Sequence, residues 1–237
     1  MTFDTEIAIA SELRKLKLII FDCDGVLVDS ENLSIVALHD VILKQGGILS
    51  EEEVIQQFQG RSMKSARDEL FAKQGVMLSQ ESLDEMNKQL FTCFKEELQP
   101  VKGVRSFIES LDLPVCVASS SHPERIDVSL TATKLKSYFA GNIFSSTMVQ
   151  NGKPAPDLFL LAAKNMSVPA DCALVIEDSP AGVEAARRAG MLCIGLTAGS
   201  HAKHPNHKQR LIEAGAHWVV SSYEEVAEVV EKLSEVN

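Results

Sequence analysis

The chain has 237 residues, 45% of them hydrophobic, and a formal charge of −10, which supplies a substantial core for one large domain or for a domain plus a smaller one. With no basic stripe to offset it, the acidic balance argues against a nucleic-acid partner. No apolar run approaches the length of a bilayer span. Any phosphate the protein handles must therefore be met locally, by a metal, a lysine or backbone N–H groups. Residues 1–15 suggest a short helical leader or a frayed extension, through Ile7, Ile9 and Leu13. Asp4, Glu6 and Glu12 stand where an export signal would be basic, so neither a signal nor a membrane anchor is expected. The five cysteines, at 23, 93, 116, 172 and 193, are odd in number and contain no C-x-x-C pair. They form no disulfide framework or zinc site and fit a reducing cytoplasm.

The first predicted strand covers 16–22: apolar residues run into Asp22, Asp24 follows after one residue, and Gly25 releases the backbone into a turn. From 33 to 100 the character changes to helical spacing without a strand. Ser50 and Glu53 read as a capping box before Val54, Ile55 and Phe58; a second helix follows Ser62 with Ala66, Leu70 and Phe71; a third covers 83–98. Beyond Pro100 strands alternate with helices. Strands are expected at 114–118, 142–145, 173–176, 192–196 and 217–220. Pro156, the Ser179-Pro180 pair and Ser222 with Glu225 mark helix starts, and Gly190 marks a stop. This order implies right-handed crossovers and an α/β, doubly wound parallel sheet, interrupted after its first strand by a helical insertion. The expected division is a core of 1–32 and 101–237 with an inserted unit of 33–100.

In a parallel sheet every strand's C-terminal end lies on one rim, where open α/β folds bind ligands. Polar residues follow the apolar runs at four places: Asp22 and Asp24, Ser119 and Ser120, Lys153 in Gly152-Lys153-Pro154, and Glu177 with Asp178. Taken singly, each has an ordinary explanation as a helix start, a solvated loop charge or a favourable helix N-terminus. Together they resemble the four motifs of the haloacid dehalogenase superfamily. Asp-x-Asp-Gly-x-x-x-Asp-Ser is matched by Asp22, Asp24, Gly25, Asp29 and Ser30; the second motif's hydroxyl by Ser119; the third motif's lysine by Lys153; the fourth motif's acidic pair by Glu177 and Asp178. The insertion resembles the helical cap of the superfamily's subclass one.

That resemblance implies a Mg²⁺-dependent phosphatase of small phosphorylated metabolites, a sugar phosphate or a phosphorylated sugar acid. Asp22 would be the nucleophile and a metal ligand, Asp178 a second ligand, the Asp24 backbone carbonyl a third, and Glu177 a support behind them. Ser119, with Ser120, and Lys153 would hold phosphoryl oxygens. Asp24 would be the general acid and then the base, which requires it to hold a proton before transfer. In the insertion, Gly60, Arg61 and Lys64 are the expected substrate contacts, with ordinary solvated charges as the alternative. A zinc site at His201, His204 and His207 is disfavoured by the intervening Pro205. A β-phosphoglucomutase-like mutase is the alternative, and a binding module without turnover is a third reading. Dehalogenase chemistry is disfavoured by the presence of Asp24, and phosphonatase chemistry by the lack of an identifiable cap lysine. Relatives often carry a histidine five residues after the first motif's last aspartate; here Ser34 stands there, with no charge to control a closing cap, which favours hydrolysis over transfer. A monomer or weak dimer is expected.

Overall fold

The computed structural model describes residues 15–58, 63–203 and 206–235. Six strands, β1 (Leu18–Phe21), β2 (Val115–Ser119), β3 (Ile143–Ser145), β4 (Ala173–Glu177), β5 (Leu192–Leu196) and β6 (Trp218–Val220), form one sheet. Every neighbouring pair is parallel. The order β3-β2-β1-β4-β5-β6 places β1 between β2 and β4, so the chain winds outward in opposite directions from β1 and β4. A crevice opens at their carboxyl ends, the switch point of a doubly wound sheet. Register sets Phe21 beside Ile176 and Val117, so Asp22, the residues after Ser119, and Glu177 reach the rim together.

Both faces of the sheet are covered, which is why the strands are apolar throughout. The two-residue period of β1 sends Leu18 and Ile20 to one core, with Cys116, Ala118, Phe159 and Val183. Ile19 and Phe21 go to the other, with Val117, Leu130, Phe139 and Tyr223. Phe21 meets Phe107 and Phe139 edge-on at centroid distances of 6.1 and 6.0 Å.

Between β1 and β2 run four helices: α1 (Glu31–Lys44), α2 (Glu51–Phe58), α3 (Met63–Gln74) and α4 (Gln80–Glu97). They bury an apolar cluster of their own, including Ile42, Val54, Leu70, Leu78 and Met86. The expected capping box at the start of α2 is present: Ser50 N–H donates to Glu53 Oε2 at 2.8 Å, and Glu53 N–H donates to Ser50 Oγ at 3.3 Å. The two passages between the sheet and this insertion lie side by side. Asp29 N–H donates to Gln99 O and Val101 N–H to Leu27 O, both at 3.0 Å.

The remaining helices are α5 (Val104–Glu109), α6 (Pro123–Ala132), α7 (Asp157–Asn165), α8 (Pro180–Arg188), α9 (His207–Ala214) and α10 (Tyr223–Glu235). Four helices, α1, α5, α6 and α9, go beyond those marked from the sequence. In α1 the exposed side carries Val36 and Leu43, which blurs the polar-apolar contrast that identifies a helix. Phe71, expected on the buried face of α3, is exposed, whereas Ala66 and Leu70 are buried. The leader over 1–14 lies outside the described residues. Among the described residues, no helix is long and apolar enough to cross a membrane.

Candidate active site

Asp22 follows β1 directly and is 7% exposed. Lys153 reaches it across the crevice: Nζ donates to Asp22 Oδ1 at 2.6 Å, to Glu177 Oε1 at 2.7 Å and to the Ala118 carbonyl at 3.0 Å. The amine also lies 4.7 Å from the centre of the Phe159 ring. Burial disfavours a charged lysine, but Asp22 and Glu177 outweigh it and raise the Lys153 pKa above its ordinary value. At Asp22 burial dominates and pushes the carboxyl up; Lys153 opposes this, and the nearby Glu177 and Asp178 reinforce it.

Glu177 ends β4 and is held as an anchor. Its Oε2 accepts from the N–H groups of Asp178 and Ser179 at 2.9 and 2.8 Å, and from Ser179 Oγ at 2.9 Å. Ser179 in turn caps α8, its Oγ accepting from Gly182 N–H at 3.1 Å. Gly182 is required by this arrangement, because a Cβ there would fall 1.7 Å from Glu177 Oε1. With one oxygen on Lys153 and the other on the start of α8, Glu177 fits the supporting role and not direct metal ligation. Asp178 is 7% exposed beside it.

Three carboxylates, Asp22, Glu177 and Asp178, thus gather in a buried crevice, where one ammonium group pairs with the first two. Their hard oxygens and surplus negative charge fit a divalent cation such as Mg²⁺. Among the described residues, no three His, Cys, Asp or Glu side chains enclose a metal by themselves. Mg²⁺ suits such an incomplete set, since it uses one or two carboxylates and completes its shell with backbone, substrate and water oxygens.

Asp24 differs from what the sequence reading requires. Its Oδ1 accepts from Ser30 Oγ at 2.6 Å and from Arg125 Nη2 and Nε at 2.8 and 3.2 Å, while Oδ2 accepts from Ser121 Oγ at 2.7 Å. Burial alone would raise its pKa, but Arg125, Ser30 and Ser121 prevail and hold the carboxyl below its usual range. In this conformation Asp24 is a carboxylate, not the protonated acid needed before transfer. Arg125 also donates to Ser34 Oγ at 3.0 Å. A charged group thus lies beside Ser34, though a guanidinium, which does not give up its proton near neutral pH, is no proton relay.

Ser119 is buried at the end of β2, its Oγ accepting from Ser121 N–H at 3.1 Å; Ser120 is exposed, its carbonyl accepting from Ser146 Oγ at 2.7 Å. Asp29 accepts from Ser200 N–H and Oγ at 3.0 and 2.7 Å, fastening the loop after β5 to the first motif. The crevice thus gathers Asp22, Ser119, Lys153, Glu177 and Asp178 from three strand ends and a loop. Gly60, Arg61 and His204 lie outside the described residues. Lys64 is in the first turn of α3, His201 is in a short 3₁₀ turn (Ser200–Lys203), and His207 is buried at the start of α9. Arg125 and Ser121 are the residues sequence reasoning missed. The available signal was Pro123, which starts a helix at the rim and so carries its first turn, with Arg125, toward the site.

A family model described as haloacid dehalogenase-like hydrolase matches residues 19–196. The 6-phosphogluconate phosphatase of Escherichia coli (strain K12) is 29% identical over 197 residues, covering 81% of this chain and 89% of that protein. The phosphorylated carbohydrates phosphatase of Thermotoga maritima is 28% identical over 221 residues, covering 92% of this chain and 100% of that protein. Among solved structures, a conserved haloacid dehalogenase-like protein of unknown function from Agrobacterium tumefaciens superposes with a TM-score of 0.82 at 36% identity. That match covers 92% of this chain and 99% of that one.

Proposed function

The chain belongs to the haloacid dehalogenase-like hydrolase family, and from that premise we propose that it is a Mg²⁺-dependent phosphatase of small phosphorylated metabolites, a sugar phosphate or a phosphorylated sugar acid. One observation carries the reading: a buried carboxylate, Asp22, sits at the switch point 2.6 Å from the Lys153 amine, with Glu177 behind the lysine. The names of the Escherichia coli and Thermotoga maritima relatives supply the substrate class.

Asp22 attacks phosphorus and forms an aspartyl-phosphate, and Asp22, Asp178 and the Asp24 backbone carbonyl are the groups that would hold the metal. When bound, Mg²⁺ offsets the repulsion between the carboxylate and the phosphate anion. Lys153 and Ser119, with Ser120 at the rim, receive the phosphoryl oxygens as charge builds on them. Glu177 keeps Lys153 aimed. Asp24, once released from Arg125 and the two serines, protonates the leaving oxygen and then draws a proton from the attacking water. The insertion, 33–100, closes over the rim as a cap, and Gly60, Arg61 and Lys64 contact the part of the substrate remote from phosphorus. We place the enzyme in the cytoplasm, where its cysteines, all free of disulfides, stay reduced, and expect a monomer or weak dimer.

The test is phosphate release from a panel of phosphorylated metabolites that includes 6-phosphogluconate, with the Asp22→Asn protein as blank. A parallel reaction supplies β-glucose 1-phosphate with a bisphosphate primer. Inorganic phosphate as the dominant product supports the reading; glucose 6-phosphate accumulating faster than inorganic phosphate would overturn it in favour of a mutase.

A further inference from the structure

The turn over 23–28, which follows β1, closes on itself. Leu27 and Val28 N–H both donate to the Cys23 carbonyl, at 2.9 and 3.1 Å, and Gly25 N–H donates to the Val28 carbonyl at 2.8 Å. Gly25 adopts the φ of 77° that lets the chain fold back. Val101 N–H occupies the Leu27 carbonyl at 3.0 Å. The Val26 carbonyl is served differently. Val26 is fully buried, out of reach of water, and its donor stands 197 residues away: the Tyr223 hydroxyl donates to it at 2.9 Å. Tyr223 opens α10 and is 1% exposed. Its ring packs on Phe107 at 5.2 Å between centres, and Phe107 in turn meets Phe21, the residue before Asp22. Tyr223 lies beyond the span 19–196 that the family model matches.

We propose that Tyr223 is a positioning residue for the metal site: by holding the Val26 carbonyl, its hydroxyl sets the turn that aims the Asp24 backbone carbonyl at the cation. The part of that carbonyl as a ligand rests on the reading above; the grip of the hydroxyl on the turn does not. A trans peptide sets its N–H and C=O on opposite sides of one plane. The bond from Gly25 N–H to Val28 O therefore fixes where the Asp24 carbonyl, on the same peptide, points. Among the described residues the carbonyls of Asp24 and Gly25 accept no hydrogen bond, whereas those of Cys23, Val26, Leu27 and Val28 each accept one. The peptide between Val26 and Leu27 is clamped at both ends, its N–H on Cys23 O and its carbonyl on the phenol. Burial, with the nearby Asp178 charge adding to it, holds the phenol pKa above its ordinary value. The clamp thus stands near a proposed ligand and remains a donor at working pH. Without the hydroxyl a buried carbonyl is left unpaired, and the turn relaxes toward another donor, carrying the Asp24 peptide plane with it.

The test is Mn²⁺ binding to the whole protein, followed through the electron paramagnetic resonance of the free ion, with Mg²⁺ as competitor. Tyr223→Phe keeps the ring and its contact with Phe107, and should raise the Kd of both ions about 10-fold, the low end for groups that orient metal ligands. In steady-state phosphate release the same variant should need about 10-fold more Mg²⁺ for half-maximal rate. At saturating Mg²⁺ it should return to within about 2-fold of the wild-type kcat, with an unchanged KM for the ester. Phe107→Leu loosens the same packing but keeps the hydroxyl; it should lose stability and leave Kd within about 2-fold of the wild type. Asp178→Asn removes a proposed ligand and should abolish the binding, which identifies the site. Wild-type affinity in Tyr223→Phe would refute the positioning role, and so would an equal loss in Phe107→Leu, which would assign the effect to packing. A wild-type protein that binds neither ion, or binds them no better than Asp178→Asn does, would instead refute the metal reading on which this inference rests.

Discussion

Lys153→Met removes the ammonium group while keeping an unbranched side chain of similar reach. In the wild type that group is shared by Asp22 at 2.6 Å and Glu177 at 2.7 Å, with side-chain exposures of 4% for the lysine, 10% for Asp22 and 1% for Glu177. Removing one partner from a buried ion pair leaves an uncompensated charge and costs about 3–5 kcal/mol. Here two carboxylates lose the same partner. In the presence of a chelator, urea unfolding followed by fluorescence of Trp218 at about pH 7 should show a fall of that size, with an unchanged denaturant slope. The deficit should shrink toward about pH 5, since the carboxylates left without a cation take up protons more readily. The opposite limb follows from the lysine itself. Its folded pKa is raised, so its contribution is complete below the ordinary lysine value and is lost as pH rises through the folded value; the wild type should weaken in strong alkali and the variant should not. Loss of the charge on the phosphoryl oxygens should lower kcat about 100-fold to 1,000-fold. A variant within about 0.5 kcal/mol of the wild type at neutral pH would refute the reasoning, because that is the range of an ordinary surface substitution.

Gly182→Ala should displace Glu177, whose Oε1 lies 1.7 Å from the position of the new Cβ; a loss of about 1–3 kcal/mol by denaturant unfolding and a lower kcat with little change in KM are expected. Asp24→Asn should lower kcat on a sugar phosphate about 100-fold to 10,000-fold in steady-state assays. Its stability should carry a pH signature: the Asp24 pKa is lowered in the folded state, so the wild-type contribution is present above the ordinary aspartate value and is lost as pH falls through the folded value, and the two proteins should converge in acid. Arg61→Ala should weaken turnover of the natural substrate far more than that of p-nitrophenyl phosphate, because a remote contact supplies positioning energy and no reacting group; equal losses in parallel kinetics would assign Arg61 to structure.

The sheet and the convergence at its rim were legible because burial on both faces makes every strand an apolar run. Parallel topology then fixes where each run delivers its next polar residue. Asp22, Ser119, Lys153 and Glu177 were found in that way, although Lys153 stands eight residues beyond the end of β3. What the sequence concealed was side-chain direction. A motif places Asp24 two residues from Asp22, but only coordinates show that its carboxylate is held by Arg125, 101 residues away. The same arginine also donates to Ser34, a contact that the sequence does not announce. Phe71 was misplaced because Ala66 and Leu70 alone determine the buried face of α3, and neighbouring apolar residues on a helix point in different directions.

The most direct test of the central claim is to quench the enzyme during turnover of a phosphorylated metabolite with Mg²⁺ present and locate the phosphoryl group by peptide mass spectrometry. The account predicts a phosphoryl group on Asp22 in the wild type, and neither this adduct nor phosphate release in Asp22→Asn, which should still fold because Glu177 keeps the buried Lys153 ammonium paired. Phosphate release at the wild-type rate from Asp22→Asn, or a phosphoryl group carried by any other residue, would contradict it.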